Sequence, residues 1–485
     1  MKIKLITTSN HELALREIAY LLKDKAEIEL YSLNPGTHYA NSEPYKKQTL
    51  QEIVLSLIKE PADFYFFSVK ELDRKRSFQI AEELKKRGLK TVAGGSYIMT
   101  NPQEACKYFN TLVIGEVSKQ ILEDILRGKE GIIYSGLNQQ PTIEFYDIPL
   151  FYLENGRVKK SNDGLRPFLH PQYYYKKELS FTTMRGCSQS CSYCEVSYIK
   201  KLFPDYKIRK KPLKKVLEYV KEKVEEIKPD YIYIWDEDFL LHSEKEINEF
   251  VDEYKDIKIP FFIFATPKTV VYGKEKLEKL AKVGLHQVNI GIQSASKEIH
   301  DNLFGRRESL SEGRNAVRIL TNLYKKYSNT MAPPMIDLIT LNPYEGEQDI
   351  LRTIKYIYNL PKPFNLIVHI MEFFNGTPLK EDAIKRGFIK KDYSFDYDLH
   401  DFISHAEDVL NKKRKNSLKN LYLSSVLFMM DGIHDGKNCG MLKREEVKKF
   451  ILKYYESNLT TEEINYIIKE VERKIYCRDN SFPNV

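Results

Sequence analysis

Apolar positions along the chain follow two alternating patterns. Over roughly the first 128 residues, short apolar runs of strand type alternate with stretches whose apolar residues recur every three or four positions. Residues 2–7, 27–32, 63–69, 89–93 and 112–114 read as strands, and 11–22, 49–59, 74–87 and 118–126 as helices. Gly94-Gly95 and Gly115-Glu116 each stop a strand with a turn. Strands alternating with helices predict a doubly wound α/β domain over residues 1–130, whose ligands bind at the carboxyl ends of its strands. Residues 131–175 are irregular and rich in Pro, Asn, Gly and Tyr, and read as a linker with a few ordered pieces such as Asp147-Ile-Pro149.

The alternation resumes at residue 176. Candidate strands are 179–183, 231–235, 261–265, 287–292, 335–341 and 366–371, with helices over 213–227, 243–254, 274–283, 310–327 and 347–360. Six strands separated by helices predict a partial (β/α)6 barrel over 176–387, with its site at the carboxyl ends of the strands. Residues 388–485 read as a helical, highly charged C-terminal region with a basic cluster, Lys412-Lys413-Arg414-Lys415, taken as a solvated helix face.

Composition narrows the class. Of 485 residues, 42% are apolar and 30% charged, which suits two or three soluble domains. The net charge of +8, from 76 basic and 68 acidic residues, is small and dispersed, so a nucleic-acid partner is not expected. The longest apolar run, 421–430, falls short of a membrane span, and the first ten residues read as a buried strand, so a cytoplasmic location without a membrane is expected.

Only six cysteines occur, and three of them fall within Arg185-Gly186-Cys187-Ser188-Gln189-Ser190-Cys191-Ser192-Tyr193-Cys194-Glu195. The C-x3-C-x2-C spacing would fit one face of a helix, but Gly, Ser and Cys are poor helix formers and the run follows a strand, so a loop around a metal centre is the better reading. Soft thiolates suit an iron–sulfur cluster or zinc. A four-iron cluster usually takes four cysteines, so three leave either a distant ligand or one iron open to a small molecule. Zinc with a histidine is the competitor, although His170 and His242 lack finger spacing. A disulfide framework does not suit a long chain with so few cysteines. Cys106 reads as a buried small hydrophobe, and Cys439 and Cys477 as isolated.

This triplet, with an aromatic residue before its last cysteine, resembles the cluster loop of the radical S-adenosylmethionine (SAM) superfamily. The resemblance implies that Cys187, Cys191 and Cys194 bind three irons of a [4Fe-4S] cluster and that SAM chelates the fourth, with Tyr193 beside it. The N-terminal half resembles the cobalamin-binding (Rossmann-like, B12-binding type) domain of one branch of that superfamily, through Leu13-Ala-Leu-Arg16, Pro61-Ala-Asp-Phe64, Val92-Ala-Gly-Gly95 and Val113-Ile-Gly-Glu116. The family usually continues the last of these with a second Gly-Glu, where Val117-Ser118 stand here. Further matches imply SAM-binding roles. Asp236, Glu237 and Asp238 would take its amine, Gln293, Ser294 and Arg306 its ribose and carboxylate, and Gly376 and Thr377 the neighbourhood of its adenine. Acids at a helix start, or a surface arginine, are the bland readings of these residues.

The resemblance thus implies a doubly wound cobalamin-type domain, a partial radical SAM barrel and a helical C-terminal region. The activity it implies is SAM cleavage to a 5′-deoxyadenosyl radical, with cobalamin-dependent methylation of an unactivated carbon in a small-molecule or peptide substrate. An external electron donor of flavodoxin or ferredoxin type is also implied. The alternatives are a cobalamin-independent rearrangement, oxidation or cyclisation, with the N-terminal domain only packing on the barrel, and a non-enzymatic metal- or RNA-binding module. Tyr193 and Cys439 are candidate hydrogen donors.

Overall fold

A computed structural model describes residues 1–8, 12–33, 47–137, 141–154, 157–161, 164–165, 177–391, 393, 415–440, 442–456 and 466. His170, Lys412-Lys413-Arg414 and Cys477 lie outside the described residues. The chain divides into two compact units. The first comprises Met1–Gly186, Cys194–Tyr231 and Phe373–Asp398, and the second Cys187–Tyr193, Ile232–Glu372 and Leu399–Val485.

In the first unit, eight strands form one sheet. They are β1 (Lys2–Thr7), β2 (Glu27–Ser32), β3 (Phe64–Ser68), β4 (Thr91–Gly94), β5 (Thr111–Ile114), β6 (Gly131–Tyr134), β7 (Leu150–Glu154) and β8 (Arg157–Ser161). Their order is β6-β5-β4-β3-β1-β2-β7-β8, parallel except for the β7–β8 hairpin. Strand order reverses between β1 and β3, the switch point where doubly wound sheets take their ligands.

Both faces are buried, which is why β3, Phe-Tyr-Phe-Phe-Ser, is apolar on both sides. Ile6, Tyr65, Phe67 and Leu112 pack on one face with Ile53, Leu57 and Phe78 of the helices Lys47–Ile58 and Arg74–Lys86. Leu5, Leu30, Phe66 and Val113 pack on the other with Leu15, Ala19 and Leu122 of Leu13–Leu22 and Lys119–Leu126.

The segment expected to be a linker instead supplies β6, β7 and β8 to this sheet. Each is only four or five residues long and stands at or near a sheet edge, so none carries the long apolar run of a central strand. Cys106, expected to be buried, is exposed, because the one-turn helix Pro102–Ala105 buries Ala105 and leaves the next residue outside.

Beyond residue 176, β9 (Glu178–Phe181) precedes a small hairpin of β10 (Met184–Arg185) and β11 (Arg209–Lys210). Then follow β12 (Tyr231–Ile234), β13 (Phe261–Ala265), β14 (Leu285–Gln293), β15 (Met335–Thr340), β16 (Phe364–Ile370) and β17 (Gly432–His434). The sheet order is β17-β16-β15-β14-β13-β12-β9, and β12 to β16 are parallel in chain order. That succession, with helices between, is the partial β/α barrel topology. Every strand and helix expected over 2–126 and 179–371 is present, with its ends within two residues.

The C-terminal region is not wholly helical. It contains the helices Lys415–Met430 and Arg444–Glu456, but β17 pairs antiparallel with β16, and a two-residue hairpin follows. Three residues after a glycine-marked turn are too few to show a strand period.

Candidate functional site

The cysteine loop begins at Gly186, whose φ of +110° and close approach to the Tyr206 ring exclude a side chain. It ends at Cys194, immediately before the helix Glu195–Leu202. Cys191 is buried and Cys187 and Cys194 are half-buried, and none forms a disulfide. Burial pushes the Cys187 thiol up to about 11, and the neighbouring Glu237, Asp238 and Cys191 raise it further against a hydrogen bond from the Gln189 amide. Buried sulfurs beside acids make an electronegative pocket that a cationic metal group would relieve. Among the described residues no three His, Cys, Asp or Glu side chains close round a single-ion point. A [4Fe-4S] group does not require one, since each of its cysteines binds a different iron. The donor set therefore fits that cluster.

In the second unit, one arginine organises the loop. Arg306 follows Gly305, at φ +65°, just beyond the π-helical turn Glu298–Leu303. Its guanidinium donates to Tyr193 Oη at 3.0 Å and to the Gly291 carbonyl at 2.8 Å, pairs with Glu308, and lies 3.9 Å from Cys191 Sγ. Glu308, buried, also accepts from Gln189 Nε2 at 3.2 Å, and the Gln189 amide donates to Cys187 Sγ at 3.4 Å. Ser192 is tied to the carbonyls of Leu303 and Phe304, and the Tyr193 ring stands edge-on to Phe304. Charged hydrogen bonds of this kind hold a loop more tightly than neutral ones. Gln189 and Glu308 were not legible as functional residues, since nothing in their spacing distinguishes them from loop polarity.

The other expected site residues separate into those turned toward this region and those already engaged. Gln293 closes β14 at φ +65°, a strained value for a non-glycine residue, and its side chain folds over Gly291 so closely that a Cβ there would meet Nε2 at 2.3 Å. Glu237 is exposed, whereas Asp236 and Asp238 are fully buried. Asp236 lies 3.8 Å from His242. Asp238 accepts from Thr266 at 2.9 Å and Thr269 at 2.8 Å, and burial pushes its carboxyl up to about 6 despite those bonds. Its acceptor capacity is therefore largely used within the protein. Ser294, fully buried, faces Glu345 at 3.5 Å and Thr353 at 3.4 Å. In the first unit, Thr377 caps the helix Pro378–Lys385, and Gly376 lies against the Tyr198 ring, which a Cβ would strike at 2.3 Å. Both have sufficient structural reasons.

The carboxyl edge of the first sheet also holds polar groups in need of partners. Ser32 Oγ, closing β2, and Asp73 Oδ2, after β3, are buried without a hydrogen-bond partner. A ligand fringed with carboxamides, as cobalamin is, supplies donors for such atoms, so the edge fits that group. The motif residues nearby act differently. Gly95 and Gly115 admit the close backbone approach of Val69 and Ser135, and Glu116 is paired with Arg185 at 3.1 Å and with Arg209.

Comparison with known proteins places this geometry. Residues 181–357 match the Radical SAM superfamily. A curated relative, bacteriochlorophyllide d C-8(2)-methyltransferase of Chlorobaculum tepidum, is 25% identical over 241 residues, 48% of this chain and 50% of that protein. The chain thus spans about half the length of the curated relative it matches. Among solved structures, the cobalamin-dependent SAM radical enzyme OxsB with aqua-cobalamin bound aligns over 99% of this chain and 80% of its own, at TM-score 0.58 and 14% identity. The radical SAM methyltransferase TsrM of Kitasatospora setae, with cobalamin and a [4Fe-4S] cluster bound, aligns over 80% and 75%, at TM-score 0.54 and 15% identity. The chain shares the fold of these two solved structures.

Proposed function

We propose that this protein is a radical SAM enzyme that methylates an unactivated carbon with the help of cobalamin. The observation that carries the reading is the cysteine triplet in a loop braced by Arg306, Glu308 and Gln189, inside the segment that matches the radical SAM model. When bound, the cluster supplies the electron that splits SAM, and cobalamin a transferable methyl group.

The chain's own residues have distinct roles in this proposal. Cys187, Cys191 and Cys194 bind three irons as thiolates. Arg306, held by the Gly291 carbonyl and Glu308, places positive charge 3.9 Å from Cys191 Sγ and orients the loop that carries it. Glu237, the exposed acid after β12, is the residue of its trio best able to receive the SAM amine. Gln293, set by its strained backbone, would take the ribose side of SAM, and Tyr193 would help hold the cluster loop. Ser32 and Asp73 accept from cobalamin carboxamides. The substrate is a small molecule or peptide, an external flavodoxin- or ferredoxin-type protein supplies electrons, and the setting is cytoplasmic. The curated relative's name points to methyl transfer, and domains over 1–130, 176–387 and 388–485 suit it.

Anaerobic reconstitution with iron, sulfide and hydroxocobalamin, followed by reductant and SAM, tests the reading. Expected are about four irons per chain, retained cobalamin, and both 5′-deoxyadenosine and S-adenosylhomocysteine. Iron and 5′-deoxyadenosine without cobalamin would leave the cobalamin-independent alternative, and neither product would overturn the proposal.

A further inference from the structure

The inner face of the parallel sheet in the second unit is built unevenly. Strand alternation sends Ile232, Ile234, Phe261, Ile263, Ile290, Ile336 and Leu338, all fully buried, to the helix-covered face. Phe261, for instance, packs on Phe250 and Tyr254 of the helix Glu244–Tyr254. The opposite face carries Tyr233 on β12, Trp235 just past its end, and Phe262 and Phe264 on β13. Tyr233 stacks on Trp235 at 4.3 Å and on Phe262 at 4.2 Å, and Trp235 lies 5.4 Å from Phe264. Tyr233, Trp235 and Phe264 keep part of their surface open while the residues between them on the strands have none. A purely structural aromatic core would be closed.

Across the same face the chemistry changes. Register places Phe264, Asn289, Met335 and Asn365 in one layer, and Gly291, Asp337 and Ile367 in the next. Asn289 and Asn365 are more than nine-tenths buried, and their side-chain oxygens have no hydrogen-bond partner. Asp337 in the next layer is already partnered, its Oδ1 lying 3.5 Å from His369 Nε2. Buried acceptors without donors are costly and rare in folded proteins. Two of them on the same face as a partly open aromatic wall describe a ligand with a flat face and donors at its edge.

We propose that this face binds the substrate of the reaction, and that the substrate carries an aromatic or conjugated ring with N–H groups, stacked along Tyr233, Trp235 and Phe264 and donating to Asn289 and Asn365. The proposal rests on the radical SAM reading for the word substrate, but the ring site itself is testable without turnover.

Trp235 is the chain's one tryptophan, so 5-fluorotryptophan labelling of the reconstituted protein gives a single fluorine resonance at the wall. Indole and benzofuran have nearly the same shape, and only indole has an N–H. Indole should shift that resonance saturably, with benzofuran binding roughly tenfold more weakly. Asn289→Leu and Asn365→Leu should each shrink the difference between the two probes while leaving the circular dichroism unchanged. The proposal is overturned if neither probe moves the resonance, if the two bind equally, or if SAM alone moves it as far and excludes indole. Formation of 5′-deoxyadenosine on the same samples separates the two readings. Cleavage of SAM without indole discrimination sinks the ring site alone, and discrimination without cleavage upholds the ring site and sinks the reaction.

Discussion

Two clusters, one in each unit, bury polar groups in opposite ways. In the first, Lys211 bridges Glu17 at 2.8 Å and Glu144 at 2.7 Å, Arg185 bridges Glu17 at 2.8 Å and Glu116 at 3.1 Å, and Arg209 pairs with Glu116. Three acids meet three bases, and Thr182 adds a hydrogen bond to Glu144 at 2.7 Å. In the second, the side-chain oxygens of Asn289 and Asn365 are buried without a donor. Paired charges fix one arrangement of a chain, while unmet acceptors cost stability until something binds. The contrast separates a scaffold, which joins the N-terminal sheet to the hairpin strand β10 that leads into the cysteine loop, from a surface kept open.

The sharpest way to break the contrast is at the scaffold. Lys211→Met should cost about 3–5 kcal/mol, because Lys211 is wholly buried and its loss strands Glu17 and Glu144. A thermal unfolding scan and limited proteolysis of the first unit would report it, and adding Glu17→Gln and Glu144→Gln should recover part of the loss. A melting temperature equal to the parent's would show that the network is not structural.

A steric test is expected to be next in size. Gly376→Ala puts a Cβ against the Tyr198 ring at a φ of +75°, and should destabilise by about 1–3 kcal/mol in a denaturant titration. The same substitution at Gly387, also at positive φ but with nothing near it, should cost about 1 kcal/mol.

Glu345 sharpens the comparison through pH. Burial and the neighbouring Asp349 push its carboxyl up to about 8, and Oε2 has no hydrogen-bond partner. A carboxyl raised on folding binds more protons folded than unfolded, so its contribution is full below about 4.5 and is lost as pH rises toward 8. Glu345→Gln should therefore flatten the fall in melting temperature between pH 5 and 8.5, by about 2–4 °C for each kcal/mol removed. An unchanged slope would refute the assignment.

The smallest effect belongs to the open surface. Asn289→Leu and Asn365→Leu remove unmet acceptors, so each should leave stability unchanged or raise it by about 0.5–1 kcal/mol. A loss of several kcal/mol instead would mean that these amides are structural.

Much of this architecture was legible in the residues, for reasons that differ by element. Buried parallel strands such as Phe261–Ala265 are continuous apolar runs, and Leu213–Ile227 shows a full amphipathic period, so both were readable. β6, β7 and β8 were not, because short edge strands between Gly, Pro and Asn lack that signal, and β17 has only three residues. The cysteine triplet was legible because chemistry demands close spacing in the chain. Gln189 and Glu308 were not, since 119 positions separate them and only folding joins their side chains. Thr377 and Asp238 show the converse: a motif match drew attention to residues whose hydrogen bonds are largely taken up inside the protein. The aromatic alternation Tyr231-Ile-Tyr-Ile-Trp235 was visible as a strand, but which face it opened onto required the sheet.

The central claim is that three thiolates hold three irons and leave the fourth for SAM. Electron paramagnetic resonance of the anaerobically reduced protein, recorded with and without SAM, tests it most directly. A [4Fe-4S] signal whose g-values change on adding SAM, and which Cys191→Ser removes, is the expected result. A protein that carries one zinc and no iron, or a cluster signal indifferent to SAM, would contradict it.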